Sequence, residues 1–138
     1  MKVKTYIEKL PETRELDILD LTSLIEEKLN DSGLKEGLVL VFVPGSTGAV
    51  TTMEYEPGLK KDIPIALERL FPKSMKYYHE DTWHDGNGHS HVRASFLGPD
   101  LIIPFKDGLL LGTWQQPVFI ELDNKPRQRK IIIQIWGE

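Results

Sequence analysis

Leu38-Val-Leu-Val-Phe-Val43 is an almost continuous apolar run, and it constrains the fold more than any other stretch. A strand with one wet face alternates apolar and polar residues, so an unbroken run reads as a strand covered on both faces. Ile131-Ile-Ile-Gln-Ile-Trp136 has the same character near the other end. The chain has 138 residues, 40% of them hydrophobic, which suits one core and one domain spanning 1–138. Two helices cannot easily hide that much apolar sheet at this size, so part of it is expected to be buried in an oligomer.

The remaining elements are arranged around these strands. Val3, Thr5 and Ile7 alternate with Lys4, Tyr6 and Glu8, as in a strand with one wet face that Pro11 ends. A helix capped by Asp17 or Asp20 runs to about Asn30, its stripe formed by Ile18, Leu21, Leu24, Ile25 and Leu29, and Gly33 stops it. A hydroxyl-rich turn, Pro44 to Gly48, leads into a possible strand from Ala49 to Glu54. Pro57 to Leu70 reads as a second helix with Leu59, Ile63, Leu67 and Leu70 inward. Leu101 to Phe105, Leu109 to Gln116, Val118 to Leu122 and Lys130 to Trp136 read as strands of an antiparallel meander, with turns at Lys106-Asp107-Gly108 and Asp123 to Arg127. The class is α+β: a β-sandwich of mostly antiparallel strands with two helices.

The charge is −4, and the only basic cluster is short, Arg127 to Lys130, which argues against a nucleic-acid binder. With no cysteine, disulfides and thiolate zinc sites are excluded. No apolar run reaches membrane-spanning length and the N-terminus is not a signal peptide, so an intracellular, cytoplasmic protein is expected.

Chemistry concentrates in one segment. All four histidines, His79, His84, His89 and His91, lie within thirteen residues. Read as a strand, residues 89–96 place His89, His91, Arg93 and Ser95 on one face and Val92, Ala94 and Phe96 on the other. Imidazoles beside a guanidinium suggest a metal and an anion anchor; the alternative is an ordinary hydrated face. His79, His89 and His91 are the expected ligands of one divalent cation, zinc on the strength of all-nitrogen ligation, with magnesium a further possibility during catalysis. His84 is expected to stand outside the site. Glu54 and Glu56 are two apart, as paired carboxylates for acid/base work or as plain surface acids. Backbone N–H groups around Ser46 and Thr47 can hold an anion, though no phosphate-loop pattern is present.

His89-Ser-His-Val-Arg-Ala-Ser-Phe-Leu-Gly-Pro99, Ile103-Pro-Phe-Lys-Asp-Gly-Leu-Leu-Leu-Gly-Thr-Trp-Gln-Gln116 and Phe119-Ile-Glu-Leu-Asp-Asn-Lys-Pro-Arg127 resemble the YjbQ family, with Leu-Gly-Thr-Trp-Gln the most specific portion. The resemblance covers nearly the whole chain from Val39 onward. It implies a trimeric α/β sandwich with a site between subunits, sometimes holding a metal, and a secondary thiamine-phosphate synthase activity. Residue by residue it implies catalytic roles for Glu54, His91 and Arg93. It places Arg93, Ser95, Trp114 and Gln115 at pattern positions that would bind substrate with Ser46 and Thr47. The family's loop histidine is replaced by Gly45 here, and His89 is extra, as if one compensated for the other.

Three functions follow. The first is a metal-assisted enzyme acting on a small phosphorylated molecule, in which a cation and Arg93 neutralise phosphate charge. The second is a non-catalytic trimeric module that binds a metal or ligand. A third has Arg127, Arg129 and Lys130 contacting a partner protein.

Overall fold

A computed structural model describes residues 1–138. Seven strands form two antiparallel sheets. The larger contains β1 (Lys2–Lys9), β7 (Lys130–Gly137), β3 (Glu36–Phe42) and β5 (Asp100–Lys106) in that order; the smaller contains β2 (Ile18–Asp20), β6 (Gln116–Glu121) and β4 (Gly48–Met53). Four helices complete the chain: α1 (Thr22–Ser32), α2 (Pro57–Leu70), α3 (His79–Trp83) and α4 (Gly88–Leu97).

The inner face of the larger sheet supplies Val39, Val41, Ile103, Phe105, Ile131, Ile133 and Ile135. It packs on Leu21, Ile25 and Leu29 of the α1 region and on Val50 and Phe119 of the smaller sheet. The other face of the smaller sheet turns Ala49, Met53, Val118 and Ile120 toward Leu67 of α2 and Ala94 of α4. Strand period two produces this division: neighbours Ala49 and Val50, or Phe119 and Ile120, enter different cores. Only the smaller sheet is therefore covered on both faces.

That corrects the reading of β3. Val39 and Val41 are fully buried, but Leu38 and Leu40 are half-buried and Phe42 is exposed. The register aligns rows across the outer face: Ile7, Ile132 and Phe42 in one, Thr5, Gln134, Leu40 and Ile102 in the next, Val3, Trp136 and Leu38 in a third. Val3, Ile7 and Ile102 are each more than half exposed. The alternation read in residues 3–9 holds, but Val3 and Ile7 face outward while Tyr6 packs against the core.

Helix α1 starts later than its sequence suggests: Ile18 and Asp20 belong to β2, the N-cap position is Leu21 without a side-chain cap bond, and the Asp20 carboxylate accepts the Thr22 N–H at 2.9 Å from the strand end. The helix ends at Gly33 with φ 71°, as expected. Helix α2 has the expected bounds, with Pro64 inside it. The second half is not a meander. Strands β5 and β7 flank β3 in one sheet while β6 crosses to the other, and 107–115 is mostly irregular. Gly37, at φ +157°, faces Gly137 so closely that an added Cβ would meet the Trp136 carbonyl oxygen, so both strands need glycine where they cross.

The largest correction is α4. Residues 88–97 are helical, not extended. In a helix, residues two apart point to nearly opposite sides, while residues four apart share a face. His89 therefore pairs with Arg93 on the buried side, and His91 with Ser95 on the other.

Candidate functional site

The buried side of α4 is structural. His89 Nε2 lies 2.7 Å from Glu15 Oε1, and Glu15 also pairs with Lys73 Nζ at 2.8 Å. Burial alone would push the Glu15 carboxyl up; hydrogen bonds from His89 and Lys73 outweigh it and hold it below the ordinary range. Arg93 is 1% exposed and donates from Nη2 to Glu68 Oε2 at 2.8 Å and to the Phe71 carbonyl at 2.9 Å. These contacts fasten the segment before β2 and the C-terminal end of α2 to α4. His89 is thus not a third ligand beside His79 and His91, and Arg93 is not an anion anchor. Nor does His89 stand in for the histidine absent at Gly45: the two lie on opposite sides of α4.

The other side of α4 faces a polar cavity of about 340 Å³. Its walls are the Gly45-Ser46-Thr47 loop, His79 and Trp83 of α3, Asp85 and Asn87 of the next loop, His91, and two arginines, Arg127 and Arg129. Backbone bonds from Val43 N to Pro99 O and Val50 N to Gly98 O hold the hydroxyl loop against the end of α4. Gly45 has φ +115°, and a Cβ there would come within 3.0 Å of the Arg129 guanidinium, so a side chain at 45 is strained in this packing.

Acceptor groups converge at one end of the cavity. His79 Nε2 lies 3.3 Å from Asp85 Oδ1, and ligand atoms of His79, Glu80 and Asp85 fall within 4.8 Å of one another. The Asn87 side-chain oxygen points at the same two groups. Turning that amide over would instead bring its nitrogen within 3.0 Å of His79 Nε2 and 2.7 Å of Asp85 Oδ1. Either the amide nitrogen or a cation satisfies the cluster. The His91 ring centroid is 4.3 Å from that of His79. Burial, then the neighbouring His79, holds the His91 pKa below the ordinary imidazole value, so His91 is neutral near pH 7 and free to accept a proton or a metal. Glu80 is committed elsewhere: its carboxylate accepts the Gly86 and Gly88 N–H groups and fixes the loop that carries Asp85 and Asn87.

The other end is cationic, over a buried ionic network. Arg129 donates to both oxygens of Glu121, which is 0% exposed, and at 2.8 Å to Thr47 Oγ1. Thr47 Oγ1 in turn donates to Asp123 Oδ2 at 3.0 Å. Arg127 Nε donates to the same oxygen at 2.7 Å. Burial raises the Asp123 pKa, but the bonds from Arg127 and Thr47 dominate and hold the carboxyl below its ordinary value. Arg127 remains about 45% exposed and can turn donors toward a ligand.

Of the expected site residues, the fold brings together His79, His91, Ser46 and Thr47. Ser95 is exposed, donates to the His91 carbonyl, and lines a smaller recess beyond Gly45 and Ser46. Glu54 is exposed at the far end of β4, about 20 Å along the strand from Thr47. Trp114 is 72% exposed, and Gln115 donates to Thr52 at 3.3 Å beside a different cavity. Within one chain these three do not reach the histidines. His84 does not line the cavity. Asp85, Asn87, Trp83, Asp123, Arg127 and Arg129 were not anticipated as site residues. The Asp85-Gly-Asn-Gly88 turn between histidines was the one available signal for the loop residues, and Arg127 and Arg129 were expected only as contacts to a partner protein.

A model of the family described as UPF0047 protein, YjbQ-like, matches residues 7–138. A UPF0047 protein of Methanothermobacter thermautotrophicus is 36% identical over 99% of this chain and 95% of its own length. YugU of Bacillus subtilis is 31% identical over 91% of this chain and 93% of its own length. The crystal structure of a YbjQ-like protein of unknown function from Sulfolobus solfataricus superposes with a TM-score of 0.87 at 32% identity, covering 99% of this chain and 100% of that one. A YjbQ/UPF0047 family structure from Clostridium acetobutylicum gives 0.81 at 33% identity, covering 96% and 99%.

Proposed function

This chain belongs to the YjbQ-like UPF0047 family, a family of unknown function, and from that premise and the cavity's geometry we propose a metal-assisted enzyme acting on a small phosphorylated substrate. The observation that carries the reading is the approach of His79 and Asp85, whose ligand atoms with that of Glu80 fall within 4.8 Å of one another, beside neutral His91 and across the cavity from Arg127. Mixed imidazole and carboxylate donors suit zinc as well as an all-histidine set does. A bound cation would supply charge to neutralise phosphate oxygens and lower the pKa of a bound water. The chain's own groups do the rest: Arg127 and the Ser46 hydroxyl position the anion, and His91 accepts or returns a proton. Displacement of pyrophosphate, as in thiamine-phosphate synthesis, is one reaction that such a pairing of cation and guanidinium supports.

Assembly belongs to the same proposal. The rows of Val3, Ile7, Phe42 and Ile102 form an apolar sheet face that no element of the chain covers. A homotrimer would cover it and place the site near a subunit boundary.

The second reading is a metal-free binding module, favoured by the Asn87 amide, which can close the acceptor cluster by itself. Calorimetric titration of the metal-stripped protein with zinc separates the two. One site per chain is expected, lost in Asp85→Ala and His79→Ala and kept in His84→Ala. No zinc binding, or undiminished affinity in Asp85→Ala, leaves the metal-free reading.

A further inference from the structure

His79 and His91 line a second cavity on their other side. It measures about 450 Å³, and its remaining walls are Met75, Lys76, Tyr77, Tyr78, Gly88 and Val92. It differs in kind from the polar cavity: Lys76 is its one lysine, arginine or carboxylate residue. Tyr77 is buried beneath it, with its hydroxyl already donating to the Pro72 carbonyl at 2.8 Å, so Tyr77 adds apolar surface and no free polar group. Gly88 is needed in this wall, because a Cβ there would lie 2.5 Å from the Tyr77 Cβ. Met75 and Tyr78 are 52% and 83% exposed at a point where α3 and α4 approach each other. The fold thus sets an apolar trough against one side of the histidine pair and cations with hydroxyls against the other.

We infer that the substrate is a phosphate ester whose organic group is apolar: its phosphate lies with Arg127 and Ser46, and its organic group lies in the trough between Met75 and Val92. The inference rests on the phosphate reading proposed above and adds the chemistry of the other half of the molecule. The shared wall decides the occupant. His79 and His91 border both cavities, so a molecule reaching from one to the other would place the bond nearest its phosphate beside the imidazoles. A sugar or polyol ester would find few hydrogen-bonding partners for its hydroxyls in the trough, which loses affinity. An apolar group buries area instead. Adaptable Met75 suits groups of varied shape.

The test is competitive binding to the zinc-loaded full-length protein, with phenyl phosphate, glycerol 3-phosphate and inorganic phosphate as probes and calorimetry as the readout. Phenyl phosphate is expected to bind about tenfold more tightly than glycerol 3-phosphate, equivalent to about 1.4 kcal/mol, and to compete with inorganic phosphate. Val92→Asp should bring the two esters to within about twofold. Met75→Asp, in an exposed segment that any packing defect would affect less, should do the same. Equal affinities in the unaltered protein, or a preference that survives both variants, overturn the inference while leaving the phosphate site standing. Failure of all three probes to bind overturns the phosphate site as well.

Discussion

Glu121→Leu is the most informative single substitution. The Glu121 carboxylate accepts from Thr13 Oγ1 at 2.7 Å, Arg129 Nε at 2.8 Å, Arg129 Nη2 at 2.5 Å and the Asp123 N–H at 3.1 Å. It is 0% exposed and Arg129 is 9% exposed. Removing the carboxylate leaves a buried guanidinium without its counter-charge, a change that costs about 3–5 kcal/mol. For 138 residues the unfolding entropy near the midpoint is about 0.29 kcal/mol per degree, so a loss of about 4 kcal/mol lowers Tm by about 14 °C. Glu121→Leu with Arg129→Met removes both charges and should recover part of that loss. Recovery is incomplete because the Thr13 hydroxyl and the Asp123 N–H stay stranded in both variants. Thermal and urea unfolding followed by circular dichroism supply both numbers. A single variant within 1 kcal/mol of the original protein, or a double variant no better than the single, would refute the claim that this pair is buried and mutually dependent. Phosphate affinity should stay depressed in the double variant whatever its stability, because Arg129 lines the cavity.

Zinc binding should weaken as pH falls through the histidine range, since neutral imidazole is the ligand; titration at pH 8 and pH 5.5 reads this, and equal affinity would count against His79 as a ligand. Asp123 and Glu15 both have lowered pKa values. Their contribution to stability is therefore present above the unfolded carboxylate pKa, near 4, and lost as pH falls through their lower folded values, which urea unfolding at pH 7 and pH 3 measures. His91 acts in the same direction from a lowered imidazole pKa: unfolded chains bind its proton first, so stability declines as pH falls below about 6.5. Light scattering at micromolar concentration should give three chain masses, and Ile132→Glu, which places a charge between Ile7 and Phe42 on the outer sheet face, should give a monomer if that face is the contact.

Periodicity and breakers made much of the scaffold legible. Helix α2 from Pro57 to Leu70, the Gly33 stop of α1 and strands β1, β3, β5 and β7 follow from apolar spacing and from glycine and proline, signals that act within a few residues. The family, too, could be read from the sequence alone, through Leu-Gly-Thr-Trp-Gln and the segments around it. Residues 88–97 did not reveal their form. His-Ser-His-Val-Arg-Ala-Ser-Phe fits two periods, and only packing of Ala94 on the smaller sheet, with His89 against Glu15 and Arg93 against Glu68, selects the helix. That choice reassigns every side chain, because residues two apart share a face in a strand and oppose one another in a helix. It turns Arg93 from a ligand anchor into a clamp. The arginines that do face the cavity come from the turn before β7, some 36 residues beyond His91 in the chain. Such a meeting is invisible to local spacing. It exists because β6 and β7 lie in different sheets, and the ion pairs with Glu121 and Asp123 hold the connection between them over the histidines.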